Sequence, residues 1–264
     1  MMGIRDRYLI EVLGYFGALI IGIVLGLTGG GGSILTVPLL VYLLAYNPVV
    51  ATAYSLFVVG SSSLVGVIQK HQKKLVDFKT GLAFSFPSFL AVYISRRFLV
   101  PSIPKTIFSI DNFVLTKDMA IMIFFAVVMF LAAISMIKTK KINEAALKPQ
   151  PYYKTFIQGL TIGFITGLIG AGGGFLYVPA LVFWSGLPMK KAVGTSLVIV
   201  AINSLIGFSG DMQTLDIDWN FLLLFSFITI IGILLGGYLS KFISNKKLKK
   251  GFGWFVLIMA VYII

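Results

Sequence analysis

The chain contains no cysteine among its 264 residues. That excludes disulfides, thiol nucleophiles and cysteine-ligated metals. Histidine occurs once, as His71, among loop lysines and without a metal-ligand partner. Acidic residues number nine against 22 lysines and arginines, and all charged residues together make up 12% of the chain. A soluble domain carries about a quarter. No carboxylate or histidine sits in the middle of an apolar run, because Glu11, Arg96 and Arg97 all lie near run ends. Without them no Ser-His-Asp set can form. Ion pumps and many proton-coupled carriers place acids at mid-membrane, so a carboxylate-lined cation path is disfavoured as well. A dinucleotide fingerprint is also missing. Gly29-Gly30-Gly31 would need a glycine at 34, where Ile34 stands, and Gly170-Ala171-Gly172 would need one at 175, where Phe175 stands. The chain reads as a non-enzyme that needs no cofactor and no metal.

What remains is apolar. Hydrophobic residues make up 58% and the mean hydropathy is +0.98. Apolar runs span about 8–28, 33–46, 50–68, 80–98, 119–137, 155–169, 174–187, 192–209, 219–240 and 251–264. A helix of about 20 apolar residues crosses a bilayer. The expectation is an all-α polytopic membrane protein with 8–10 membrane segments, multi-pass in the cell membrane, with the lipid bilayer as its surroundings. The basic start, Met1 to Arg7, leads into a run with no clear cleavage site and reads as part of a retained span. The net charge of +13 sits in short loops, where it sets topology and meets anionic lipid heads. Nucleic acid is not an expected partner.

Two stretches break the apolar pattern in the same way. Four glycines, Gly29 to Gly32, lie within Gly26–Pro38, and a second block, Gly167–Pro179, follows 141 residues on. At the same offset Ala51 matches Ala192, Ser55-Leu56 matches Ser196-Leu197, Ser63-Leu64 matches Ser204-Leu205 and Gly66 matches Gly207. Asp77 matches Asp218, and Phe84-Ser85-Phe86 matches Phe225-Ser226-Phe227. The chain therefore divides into a first transmembrane repeat at 1–137, a basic cytoplasmic linker at 138–154 and a second repeat at 155–264. Loop 69–79 carries Lys70, Lys73, Lys74 and Lys79, whereas its partner 210–220 carries Asp211, Asp216 and Asp218 and no basic residue. Basic loops face the cytoplasm, so equivalent loops face opposite sides and the two homologous repeats are inverted. The crossing count then requires each glycine block to be the tip of a helical hairpin or a deep re-entrant turn. Eight straight spans in two parallel repeats are the alternative. Trp184, Trp219 and Trp254 read as interfacial anchors.

With no charge in the spans, a charged substrate is left with backbone N–H groups, hydroxyls and amides. A helix N-terminus exposes N–H donors and partial positive charge, which suits anions, and a short helix begins after each glycine block. The candidate substrate-binding residues are Gly29, Gly30, Gly31, Gly32 and Ser33, with Gly170, Gly172, Gly173 and Gly174. Ser55, Thr195, Ser196 and Asn203 would orient the ligand. Hydroxyls in a span often bond only the carbonyl one turn back; a buried Asn203 needs a partner more. For Gly22/Gly26, Gly163/Gly167 and Gly232/Gly236 helix packing is the favoured reading.

The glycine blocks, each followed by an Ala-x-x-x-Ser-Leu segment (Ala51–Leu56 and Ala192–Leu197), resemble those of the sulfite exporter TauE/SafE family of membrane permeases. The resemblance covers nearly the whole chain. It implies export of sulfite, sulfonates or related small anions. The sequence departs from the family in its first repeat, at Tyr54 and in the hydroxyl-rich Gly60–Ser63. The expected activity is a secondary carrier working by alternating access. A passive anion channel and a structural membrane protein are the other readings. Proton coupling through the anion's own protonation and a homodimeric assembly are further expectations that no residue specifies.

Overall fold

The computed structural model describes residues 4–110, 113–137, 152–169, 173–213 and 215–263. Every apolar run of the sequence is a helix. The first half contains α1 (Ile4–Thr28), α2 (Gly31–Pro38) with a π-helical turn at Leu39–Leu43, α3 (Pro48–Gln72), and α4 (Phe78–Ile94). A second π turn, Ser95–Leu99, joins α4 to α5 (Val100–Ser102), and α6 is Lys117–Ile137. The second half holds α7 (Tyr152–Ile169), α8 (Gly174–Phe183), α9 (Met189–Asp211), α10 (Trp219–Leu239) and α11 (Asn245–Ile263). Five stretches of the described residues are long and apolar enough to cross a membrane: Glu11–Thr28, Pro48–Gln72, Lys117–Ile137, Met189–Asp211 and Trp219–Phe242. Their outer faces carry exposed Ile123, Val127, Leu131, Leu223 and Phe227, as a lipid-facing surface requires. The chain is an all-α multi-pass membrane protein. Most of the expected linker, 138–151, lies outside the described residues, and its last three residues already belong to α7.

One small element was not foreshadowed. Strands β1 (Thr106–Ile110) and β2 (Phe113–Thr116) pair antiparallel between α5 and α6. At its base Lys117 Nζ, at the start of α6, donates to the Val100 carbonyl of α5.

Helix starts follow capping chemistry. The Asp77 carboxylate accepts from Thr80 N at 3.1 Å to begin α4, and Asp218 accepts from Phe221 N at 3.1 Å to begin α10. The matched aspartates of the sequence are thus N-caps, each contributing about 1 kcal/mol. Asn47 caps α3 through Val49 N at 2.9 Å, with Pro48 in the first turn. Trp184 directly follows α8 and Trp219 opens α10, whereas Trp254 lies well inside α11, because that helix starts earlier than its apolar run.

Packing couples the two halves. Helix α1 lies along α10, α4 along α7, α3 crosses α9, and α6 packs on α11. Exchanging the halves maps this set of pairs onto itself. Small residues make the close approaches: a Cβ on Gly22 or Gly26 would overlap the backbone of α10 at Thr229–Gly237, and one on Gly163 would overlap Ser88 of α4. The directions can be read from the contacts. Gly22 meets Gly232 while Gly26 meets Gly236, so α1 and α10 run parallel. Tyr54 meets Asp218 and Lys70 meets Ser240, which sets α3 parallel to α10. Gly163 meets Ser88 and Gly167 meets Ser95, so α7 runs with α4. Gly81 meets Thr195 and Arg96 meets Asp211, which adds α9 to that set. Gly60 against Leu205 and Gly66 against Leu197 put α3 antiparallel to α9. Helices α1, α3 and α10 therefore oppose α4, α7 and α9. Between the parallel helices α1 and α3 the chain must return. It does so through α2 and its π turn, where Gly14 meets Leu44 and Gly17 meets Leu39.

Candidate functional site

The first glycine block forms a hairpin tip between α1 and α2, and Gly173 of the second block leads into α8. Gly29 turns the chain with φ 75°, and Gly173 does the same in the second block with φ 68°. Both lie in the left-handed region that only glycine enters freely. The short helices α2 and α8 begin immediately afterwards, on glycine N-caps (Gly30 and Gly173) with no side-chain cap. The first-turn amides of a helix have no acceptor within it.

The two tips touch. A Cβ on Gly30 would overlap the backbone of Gly174, and one on Gly174 would overlap Gly30 Cα. The same Gly174 position lies 3.0 Å from Val200 Cγ2, and Val200 is the central residue of α9 (Met189–Asp211). The tips therefore meet halfway along the spanning helices.

The structure sorts the residues singled out from sequence. Gly29, Gly30, Gly173 and Gly174 stand at the meeting point. Gly31 opens α2, and Gly32 packs back on Ile21 and Leu25 of α1, which closes the hairpin. Ser33 lies in the first turn of α2; Gly170 and Gly172 fall outside the described residues. Ser196 Oγ donates to the Gly29 carbonyl at 2.8 Å and so ties the first tip to α9. Ser55 is fully buried, and its Oγ has no hydrogen-bond partner among the described residues. Thr195 has a different task. Its Oγ1 accepts from the Asp77 backbone N–H at 2.9 Å, and in the other half Tyr54 Oη accepts from the Asp218 N–H at 2.7 Å. Tyr54 and Thr195 are equivalent positions, so the departure at Tyr54 keeps one cross-half bond with a longer side chain.

Asn203 lies one turn beyond Val200 and is 2% exposed. Its Nδ2 donates to Ser88 Oγ and to Tyr177 Oη, both at 2.7 Å. Those two hydroxyls are 2.5 Å apart, and Thr166 Oγ1 is 3.4 Å from Tyr177 Oη. The cluster joins α4, α7, α8 and α9 beside the second tip, where a Cβ on Gly173 would press on Thr166 and Tyr177. Sequence reasoning found Asn203 and missed Ser88, Thr166 and Tyr177. Tyr177 was within reach, as the one polar side chain in Gly174–Phe183. Ser88 and Thr166 had no signal beyond being hydroxyls in a span. The cluster is not duplicated: the positions at the 141-residue offset are Ser62, Thr229, Thr36 and Leu25.

The buried charges lie at the ends of the helices. Arg96 is 1% exposed; its Nη2 contacts Asp211 Oδ2 at 2.5 Å and donates to Thr52 Oγ1 at 3.1 Å. At the opposite end Lys70, 2% exposed, donates to Ser240 Oγ at 2.8 Å. The basic loops collect there. Lys190 N–H donates to Asn245 Oδ1 at 3.0 Å, and Lys191 lies 3.9 Å from Asp77. A groove of about 480 Å³ runs between α1, the α2 arm and α11. Its lining of Ile20, Leu35, Leu39, Ile258 and Met259 is apolar. The polar side chains on its lining are Tyr42 and Tyr262, and it lies apart from the tips.

The family model described as "Sulfite exporter TauE/SafE" matches residues 15–263. A "Probable membrane transporter protein" of Xylella fastidiosa (strain 9a5c) is 30% identical over 256 residues, covering 93% of this chain and 91% of that protein. "Probable membrane transporter protein YunE" of Bacillus subtilis (strain 168) is 30% identical over 275 residues, covering 93% and 92%. No solved structure matches.

Proposed function

Because the chain belongs to the sulfite exporter TauE/SafE family, it is a membrane transporter, and we propose that its cargo is a small oxyanion of the sulfite or sulfonate type, moved by alternating access. The observation that carries the reading is the meeting of two side-chain-free helix starts at mid-depth, Gly30 against Gly174. Amide donors and helix dipoles converge there without a fixed positive side chain to trap the anion. The buried charges Lys70, Arg96 and Asp211 stand at the helix ends, so the anion is held by backbone and amide groups. Ser196 and Asn203 flank the tips, and Ser55 is the position equivalent to Ser196.

The repeat in sequence supports an inverted duplication, and so do the opposed directions of α1 and α7, α3 and α9, and α4 and α10. Substrates of inverted-repeat carriers lie near mid-membrane between the repeats. The tips are in contact, so admitting an anion between them requires the hairpins to part. That favours a moving carrier over an open pore.

Proteoliposomes test this with sulfite, sulfate, thiosulfate and sulfoacetate. Saturable uptake of at least one anion, with counterflow of labelled substrate, is expected. Large unitary currents would turn the assignment to a channel, and no flux of any of the four would overturn the anion reading.

A further inference from the structure

Resting on the anion-carrier reading above, we propose that Asn203 Oδ1 accepts a hydrogen bond from the cargo, so that the transported species is an oxyanion bearing its own O–H donor, such as a singly protonated sulfite or a hydroxysulfonate.

The orientation of the amide is fixed by counting hydrogens. Asn203, Ser88 and Tyr177 form a closed triangle with edges of 2.7, 2.7 and 2.5 Å. Each hydroxyl has one hydrogen, and the amide nitrogen has two. With the nitrogen facing the hydroxyls, all three edges receive a hydrogen. With the oxygen facing them, one edge would be an unbridged O···O contact. The triangle therefore turns Oδ1 away from itself, and Oδ1 has no hydrogen-bond partner among the described residues. An acceptor buried to this degree is costly when unpaired.

The other buried, unpartnered atoms do not select in the same way. Ser55, Ser62, Ser63, Ser95, Ser204 and Ser226 present hydroxyls, which rotate to donate or accept as a ligand demands. The acceptor-only atoms in that set are Gln69 Oε1 and Asn203 Oδ1. Gln69 belongs to the lysine-rich end, where its Nε2 bonds the Leu234 carbonyl at 2.8 Å. Asn203 stands at mid-depth, braced by Tyr177 one turn from Gly173. Amide N–H groups at the tips suit the anionic oxygens of a ligand, and an acceptor beside them suits its one protonated oxygen. An anion without a donor would leave Oδ1 unpaired and add its own negative charge nearby.

Two probes of similar shape decide the point: 2-hydroxyethanesulfonate, which carries an O–H, and ethanesulfonate, which does not. Half-saturation for uptake into proteoliposomes is expected to favour the hydroxyl-bearing probe by roughly tenfold or more, as for sites whose buried polar group loses its partner. Asn203→Leu is expected to bring the ratio close to one. Tyr177→Phe, which removes one brace, is expected to reduce the ratio part of the way; it decides the matter if Asn203→Leu does not assemble. Sulfite supplies a pH arm. In the wild type, half-saturation in total sulfite should rise as its protonated fraction falls, and in Asn203→Leu that dependence should flatten. A wild type indifferent to the hydroxyl, or a ratio unchanged in both variants, overturns the proposal while leaving anion transport intact. If neither sulfonate nor sulfite is carried or shifts the melting temperature of the purified protein, the sulfite or sulfonate assignment of the cargo fails, and this proposal with it.

Discussion

Glycine does three different jobs here, and alanine substitution separates them. Gly174 faces the backbone of Gly30, which cannot step aside. Gly174→Ala should cost about 1–3 kcal/mol of overpacking, seen as a lower melting temperature in detergent together with lost flux. A Cβ on Gly237 would meet only the end of the Gln69 side chain, which can swing away at the expense of its bond to Leu234. Around Gly251 nothing lies within 4 Å, so Gly251→Ala should stabilise α11 by up to about 1 kcal/mol; a lower melting temperature would contradict that. These roles look alike in sequence, because what distinguishes them is the atom opposite each glycine, up to two hundred positions away. The same holds for Thr195. Its place in an Ala-x-x-x-Ser-Leu segment marked it as polar and interior, but only the fold shows the Asp77 amide that it accepts from.

Elements were more legible than contacts. The loop-charge count required a hairpin at each glycine block, and α1 with α2 is one, turning at Gly29. The repeat equated Asp77 with Asp218, and both prove to be caps. The π turns at Leu39–Leu43 and Ser95–Leu99 left no pattern in hydrophobicity, since they only rotate an apolar helix. The tie between the Ser95–Leu99 turn and the end of α9 was invisible for another reason: Arg96 and Asp211 are 115 residues apart, and each alone reads as a span-end charge. Leaving one member of a buried pair uncompensated costs about 3–5 kcal/mol, so Arg96→Met and Asp211→Leu should each lower thermal stability strongly. The double variant should cost clearly less than the two losses added together. Strict additivity in that cycle would mean that the two charges do not act as a pair.

At the scale of the molecule, the two ends have distinct characters. The lysine-rich end gathers loop 69–79, Lys190, Lys191 and the start of α11; the opposite end holds Asp211, Asp216 and Asp218 beside Arg96, Arg97, Lys105 and Lys117. The chain has no native cysteine, so single cysteines report topology without background. His71→Cys and Gln213→Cys, both exposed, should label from opposite sides of the membrane; labelling of both from one side would remove the inverted arrangement. At the 141-residue offset the Asn203–Ser88–Tyr177 cluster corresponds to Ser62, Thr229 and Thr36, so the two equivalent sets of positions differ in chemistry. On the proposed carrier reading, cargo gripped by that cluster would be held off the axis, more by one hairpin than by the other. The outward-loading and inward-loading forms are then not mirror images in energy. Half-saturation measured from the two faces should differ, and the maximal rates must differ in compensation, since gradients alone decide the net direction of flow. A symmetric scaffold would thereby work as a kinetically lopsided carrier, tuned to pick up its anion more readily on one side than to reload it from the other.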